Sequence, residues 1–151
     1  MSNNNATNQT DSKSPQTIQH IPLPPPGCDW YYSLLKTTEA QQEAVAALLA
    51  LNHALYTAAT AQKDPSIAHK KLAWWDEELK RLFNGTPTHP ITQALLPMMT
   101  MYTWPKAYFD DMFAGAIFIR DATRAFSEHQ LKIQGQRAFG AVFALCGGVF
   151  V

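Results

Sequence analysis

The most regular run of apolar positions in the chain lies between Glu43 and Asp64. Alanine and leucine dominate it, and both favour helix. Its apolar side chains recur at three- and four-residue spacing, which puts them on one face of a helix. The run contains no carboxylate between its two terminal acids. It therefore predicts a central buried helix, with these inward polar groups: Asn52, His53, Tyr56 and Thr57.

Residues typical of helix ends place the neighbouring helices. Asp29 is a candidate cap for a short aromatic helix. The capping-box spacing of Thr38 and Gln41 begins the central helix. Asp64 followed by proline begins a second long helix, and Gly85 ends it in the left-handed conformation.

Three further helices follow in the second half of the chain. One covers about 91–102, where Pro97 is expected to kink or divide it. The next runs from Pro105 to about Asp121, and Ser127 caps the last. The apolar stripe of the 105–121 helix is predicted to consist of Tyr108, Met112, Ala116 and Ile119. No segment alternates with period two, so we expect an all-helical bundle with short connections.

Composition divides the chain into two parts. Residues 1–27 form an Asn/Gln/Ser/Pro-rich tail, which we expect to be disordered because it has little apolar surface to bury. Residues 28–151 form the helical domain. Twelve basic and twelve acidic side chains cancel, which argues against a nucleic-acid partner. Cys28 and Cys146 lie far apart, and the tail lacks a secretory apolar run, so we expect a cytoplasmic protein without disulfides.

The C-terminal stretch from Ala138 to Val151 is almost wholly apolar. Fourteen residues are too few to span a bilayer. We interpret the stretch as a buried helix, with peripheral membrane contact through an interfacial helix as the alternative. Either its last residues dock into the bundle or the chain is part of a longer protein, and we favour the second expectation.

Four segments together resemble the N-terminal half of the squalene/phytoene synthase family. They are Trp30-Tyr31-Tyr32, the run Ala44–Leu51, the series Trp75-Asp76-Glu77-Glu78-Leu79 with Gly85, Pro87 and His89-Pro90, and Arg124–Leu131. The resemblance covers about residues 28–151 and implies a helical bundle forming part of the isoprenoid-synthase fold. Family enzymes bind substrate diphosphates through Mg²⁺ held by two aspartate-rich motifs, since Mg²⁺ prefers hard oxygen ligands.

The chain departs from the family pattern where the resemblance places chemistry. The first aspartate motif should begin at Tyr56-Thr57 and end at Thr60, and a family arginine falls on His53. A family Met-Asp pair falls on Phe118-Ile119, and the tyrosine of an Arg-Tyr pair on Ala125. We therefore expect no catalytic residue, no metal ligand and no cofactor, with Mg²⁺ only if a partner or a missing half supplies aspartates.

The residues that we expect to line a pocket are Tyr32, His53, Tyr56, Thr57 and Arg124. For His53 we favour a buried imidazole bonded to a carbonyl over a metal ligand. For His89 we favour a turn residue that caps the next helix, and for Asp110-Asp111 a solvated face. At most one residue of Tyr31-Tyr32 and one of Trp74-Trp75 can face a prenyl tunnel. Arg124 is equally compatible with an anion and with a surface salt bridge.

Three functions compete at this stage. The first is a squalene/phytoene synthase-like protein of isoprenoid biosynthesis that lacks its own prenyl transfer and acts as a binding or assembly protein for a prenyl lipid or a protein partner. The second is a fragment or subunit of an active head-to-head prenyl transferase. The third is a helical interaction domain unrelated to isoprenoids.

Overall fold

The computed structural model describes residues 24–60, 63–121 and 127–150, so most of the predicted tail lies outside the described residues. The helices are α1 (Asp29–Leu34), α2 (Glu39–Thr60), α3 (Pro65–Phe83), α4 (Pro90–Tyr102), α5 (Lys106–Asp121), α6 (Glu128–Gly135) and α7 (Ala141–Gly148), with a π-helical segment, Gln136–Gly140, joining the last two. The described ranges contain no strand, which confirms the all-helical prediction. None of the described helices combines the length and apolar character needed to cross a bilayer.

Helix α2 is the centre of the bundle, as predicted. It packs against α3, α4, α5 and α7, and its buried residues include Leu48, Leu51 and Leu55. The predicted capping box at its start is present: Gln41 N donates to Thr38 Oγ1 at 3.3 Å, and Thr38 N donates to Gln41 Oε1 at 3.0 Å. The capping hydrogen bonds and the buried residues therefore both support the predicted position of this helix.

The predicted boundaries of α3 are confirmed. Ser66 N donates to Asp64 Oδ1 at 2.8 Å, and Pro65 occupies the first helical position. Gly85 follows the helix with φ of +79°, a conformation that glycine adopts without the steric cost met by other residues. These features turn the chain sharply toward α4.

The prediction that Asp29 caps α1 is wrong. The chain is extended at Cys28, which occupies the cap position without a side-chain hydrogen bond. Asp29 is already in the first helical turn, where a carboxylate still interacts favourably with the helix dipole. Cys28 and Cys146 are both free thiols.

Helices α4 and α5 differ from their predictions in detail. Pro97 lies inside α4 without dividing it. On α5, Phe109 rather than Tyr108 begins the buried stripe, which continues through Met112 and Ala116. The Phe109 ring meets Phe83 edge to face, with ring centroids 5.4 Å apart, and this aromatic contact favours the burial of Phe109 at the start of the stripe.

The last predicted helix is continuous but not uniform. Ser127 and Gln130 form a capping box at its start. The π-helical segment then interrupts the α-helical pattern, a feature that spacing arguments did not predict. At the C-terminal end Val149 is buried, and its carbonyl accepts a bond of 3.1 Å from Gln41 Nε2, whereas Phe150 remains 45% exposed.

Truncating Leu51 tests whether α2 is the core. Leu51 is fully buried, so Leu51→Ala is expected to lower the free energy of unfolding by about 2–5 kcal/mol through lost burial and a residual cavity. Leu35→Ala, at a position 57% exposed, is the control and should change it by no more than about 0.5 kcal/mol. Urea denaturation followed by circular dichroism measures both. Equal losses in the two variants would contradict the assigned core.

Candidate functional site

A buried carboxylate organises the turn between α3 and α4. Glu78 is fully buried, and it accepts hydrogen bonds from the turn, from the first residues of α4 and from one side chain of α3. The donors are Thr88 N at 2.7 Å, Thr88 Oγ1 at 2.7 Å, His89 N at 2.8 Å, Thr92 Oγ1 at 2.6 Å and Arg81 Nε at 3.0 Å. The carboxylate thus ties the middle of α3 to the first turn of α4.

These donors explain why an acid remains charged in the interior. Burial by itself raises the pKa of Glu78, but the hydrogen bonds from Thr92, His89 and Thr88 more than offset it and lower the pKa from 4.5 to about 2. Arg81 adds a salt bridge from a side chain that is partly exposed. A carboxylate with this many donors is satisfied as an anion and poorly suited to carry a proton.

His89 occupies the cap position of α4, as predicted. Its Nδ1 accepts from Ile91 N at 3.2 Å. Burial lowers the pKa of His89, and the nearby charge of Glu78 only partly opposes that effect. With Nδ1 acting as an acceptor, the neutral ring carries its proton on Nε2, which leaves one N–H free to donate. The ring centroid lies 4.8 Å from that of Trp75 and 5.8 Å from that of Trp74.

Beside this imidazole lies an open space of about 420 Å³, which we name the α2–α3 groove. Helical spacing explains its walls: residues three and four apart on each helix face the same way, and small alanines on α2 leave room for tryptophans on α3. The lining residues are His53, Ala54, Thr57, Ala58, Lys71, Trp74, Trp75 and His89.

A second depression, the α2–α5 cleft, lies on another side of α2. It is lined by Asn52, Leu55, Tyr56, Met112, Ala116, Ile119 and Phe139. Its volume is about 10 Å³, close to the minimum for a single water molecule. The four predicted inward polar groups of α2 are therefore distributed between two separate spaces, with Asn52 and Tyr56 in one and His53 and Thr57 in the other.

The prediction that the polar groups of α2 face inward is wrong for three of the four. His53, Tyr56 and Thr57 are exposed, and only Asn52 is half-buried. His53 does not bond a carbonyl; its Nε2 lies 3.4 Å from Thr57 Oγ1. Three- and four-residue spacing is equally consistent with a position on the buried face and with one at its border. The adjacent alanines and leucines occupy the buried face, so these polar residues lie at the border.

The hydroxyls at the positions of the expected aspartate motif are engaged on their own helix. Thr60 Oγ1 donates to the Tyr56 carbonyl at 2.9 Å, and Thr57 pairs with His53. Neutral hydroxyls do not fit a site for Mg²⁺, which prefers anionic oxygen ligands. Within residues 24–60, 63–121 and 127–150, no three His, Cys, Asp or Glu side chains come together in a metal-binding group.

The remaining candidates are dispersed. Tyr32 is 60% exposed and lines neither space, and Arg124 lies outside the described residues. Asp110 is a surface acid, as predicted, and pairs with Lys106 at 2.6 Å. Its neighbour Asp111 lies 3.9 Å from Arg137.

The expectation that at most one of Trp74 and Trp75 can face a pocket does not hold for this groove, because both line it. Trp75 is buried and Trp74 is 42% exposed.

Sequence reasoning missed two residues that shape the site. Glu78 falls three residues after Trp75 and four before Leu82, which places it on the buried stripe of α3. An acid on a buried stripe is a signal for a paired or hydrogen-bonded charge. Lys71 precedes Trp74 and Trp75 by three and four residues, so the same periodicity places it on the face of α3 that lines the groove.

The squalene/phytoene synthase model matches residues 26–151, which covers every described helix and both spaces beside α2. Neither the curated proteins nor the solved structures contain a significant match.

The depressed pKa of Glu78 makes the free energy of unfolding depend on pH. The group has a lower pKa in the folded state than in the unfolded chain, so its contribution is complete above pH 4.5 and is lost as the pH falls toward 2. The shift corresponds to a contribution on the order of 3 kcal/mol. Chemical denaturation at a series of pH values between 7 and 2 measures it.

Glu78→Gln identifies the source of that dependence. At neutral pH the variant is expected to lose about 2–4 kcal/mol, because an amide cannot accept from all of these donors. It should also show a shallower loss of stability below pH 4.5. Glu77→Gln changes a side chain that is 60% exposed and is the matched control. An unchanged pH dependence in Glu78→Gln would show that this carboxylate is not the titrating group.

Proposed function

The chain belongs to the squalene/phytoene synthase family, whose members have the isoprenoid-synthase fold, and we propose that it serves there as a binding or assembly protein without metal-dependent prenyl transfer of its own. Its partner in this role is a prenyl lipid or another protein. The observation that carries the proposal is the chemistry of α2 at Tyr56, Thr57 and Thr60.

The first support is the absence of charge at those three positions. Diphosphate departure requires neutralisation of the leaving group, which Mg²⁺ supplies when carboxylates hold it. Each lost anionic ligand removes an interaction of several kcal/mol at a modest effective dielectric constant. Here the hydroxyls of Thr57 and Thr60 are bonded within α2.

The second support is the space available beside Tyr56. Pockets for small organic ligands have volumes of about 300–1,000 Å³, whereas the α2–α5 cleft has about 10 Å³. Met112, Ile119 and Phe139 line the narrow region between α2, α5 and the π-helical segment. A fifteen-carbon prenyl chain does not fit in this cleft as it stands.

An exposed aromatic surface supports a role in assembly. Phe139 and Phe143 are one helical turn apart and more than half exposed, and Phe150 is 45% exposed. Phe143 also stacks on Trp30 of α1, with ring centroids 5.3 Å apart. We propose this surface, comprising Trp30, Phe139, Phe143 and Phe150, as the contact for a protein partner or for the headgroup region of a membrane.

The same surface favours a second candidate function. A helical partner seated on it could supply aspartate-bearing helices, so that the chain would act as one subunit of an active prenyl transferase. Native mass spectrometry distinguishes the two functions. A stoichiometric complex that restores Mg²⁺-dependent transfer supports the subunit function.

Farnesyl diphosphate tests the primary proposal directly. Calorimetric titration of the purified chain with farnesyl diphosphate and Mg²⁺ is expected to show no binding that EDTA abolishes, because Tyr56, Thr57 and Thr60 offer no carboxylate to the metal. An assay for released diphosphate should also stay at background. Replacing Tyr56 and Thr60 by aspartate, separately and together, tests whether anionic oxygens at these positions create Mg²⁺ affinity.

The contradicting outcome is equally definite. Micromolar, EDTA-sensitive binding of farnesyl diphosphate to the unmodified chain, or diphosphate release above background, would disprove the loss of metal-dependent chemistry. Circular dichroism of each variant establishes that the helical fold is retained.

A further inference from the structure

The α2–α3 groove is an open depression with an aromatic wall and a wall of small side chains. Trp74 and Trp75 lie edge to face, with centroids 5.1 Å apart, and the ring of His89 packs against both. The opposite wall is formed by Ala54 and Ala58, whose short side chains leave the space open. A volume of about 420 Å³ falls within the usual range of ligand sites, about 300–1,000 Å³.

The charge lining this groove is positive. Lys71 is the only formally charged residue among those that line it, and no carboxylate does so. Lys71 is exposed and takes part in no ion pair within the described part of the chain. The carboxylate of Glu78, which accepts from the backbone of His89, is fully buried and already bonded to its own donors. The groove is thus complementary to an anion.

The imidazoles add directed polar groups. His89 uses Nδ1 at the start of α4, which leaves its Nε2–H as a donor at the edge of the tryptophan pair. His53 and Thr57 form a mutual contact of 3.4 Å, and that length is weak enough to be exchanged for a ligand oxygen. The network around Glu78 fixes the backbone of His89, so one side of the groove is preorganised.

We propose that the α2–α3 groove binds an amphipathic organic anion, with a flat unsaturated body against Trp74 and Trp75 and a single carboxylate or phosphate at Lys71. Binding requires no metal ion. The site is separate from the α2–α5 cleft, so this inference stands whether or not the chain has lost prenyl transfer.

Three naphthalene probes test separately the packing of a flat body against the tryptophans and the attraction of an anion to Lys71. They are 2-naphthoate, 2-naphthylmethanol and 2-naphthylmethylamine, which share the flat body and differ in charge. The readout is the ¹H–¹⁵N spectrum of the tryptophan indoles. The chain has four tryptophans, and single Trp→Phe variants assign the signals. Naphthoate is expected to shift the indole signals of Trp74 and Trp75 while that of Trp104 stays in place, and to bind more tightly than the alcohol, with the amine weakest.

Variants then assign the roles of individual residues. Lys71→Met should weaken naphthoate binding by about three- to fivefold, the scale of one partly exposed ion pair, and leave the alcohol unchanged. Lys70→Met is the matched control, because Lys70 is the adjacent exposed lysine on α3 and does not line the groove.

Trp74→Ala should weaken the binding of naphthoate and of the alcohol alike, by about tenfold, through lost stacking and burial, and Trp74→Phe should recover part of that loss. A phosphate analogue, naphthyl phosphate, establishes whether carboxylate or phosphate is preferred.

Three results would overturn the proposal. The first is equal affinity for the anion, the alcohol and the amine. The second is an equal effect of Lys70→Met and Lys71→Met. The third is probe-induced shifts spread over the indoles of Trp30 and Trp104 rather than confined to Trp74 and Trp75. Failure of this site leaves the farnesyl diphosphate titration unaffected, so the two proposals are tested independently.

Discussion

The enclosed carboxylate of Glu78 is the interaction on which the rest of this structure depends. It sits on the buried side of α3, and its donors all belong to α3 itself or to the first residues of α4 and the turn before it. A charge in the interior is unfavourable unless donors surround it. Because the turn must supply those donors, the direction in which α4 leaves α3 is fixed together with the orientation of His89.

The fixed direction of α4 relative to α3 also constrains α2, which packs against both helices. With α4 fixed against α3, α2 is enclosed by α3, α4, α5 and α7 and becomes the axis of the bundle. The side of α2 nearest His89 carries alanines at positions 54 and 58, and there the tryptophans of α3 border an open groove. The side facing α5 carries larger side chains and is nearly closed. One helix therefore separates a space that can admit a ligand from a space that cannot.

Local signals in the sequence predicted the elements well. Asp64 before Pro65, Ser127 as a helix cap and Thr38 with Gln41 are short-range capping patterns, and each forms as expected. Signals that depend on tertiary packing were less informative. The contact between Phe109 and Phe83, which lie on different helices, decides which residue begins the buried stripe of α5. The π-helical segment follows no spacing rule in the sequence.

The candidate site shows the same division. The resemblance identified the family correctly over residues 26–151, and the capping role of His89 followed from its position before a proline. The burial of Glu78 and the lining role of Lys71 depend on contacts with residues of other helices and of the turn, which the sequence alone does not give. His53 and Thr57 were assigned to the interior because apolar spacing does not distinguish a buried face from its border. Polar residues on the edge of a buried face are often found lining a groove, and both His53 and Thr57 line the α2–α3 groove.

The most direct test of this account is the ionisation of Glu78 in the folded protein. Selective ¹³C labelling of glutamate, with Glu78 assigned through Glu78→Gln, allows the side-chain carboxyl signal to be followed as the pH is lowered. The account predicts that this signal stays at its ionised position through pH 4 and titrates near pH 2, as its pKa requires. A midpoint near the ordinary value of 4.5 in the still-folded protein would contradict it, because the carboxylate would then not be the anion that holds α3 and α4 together.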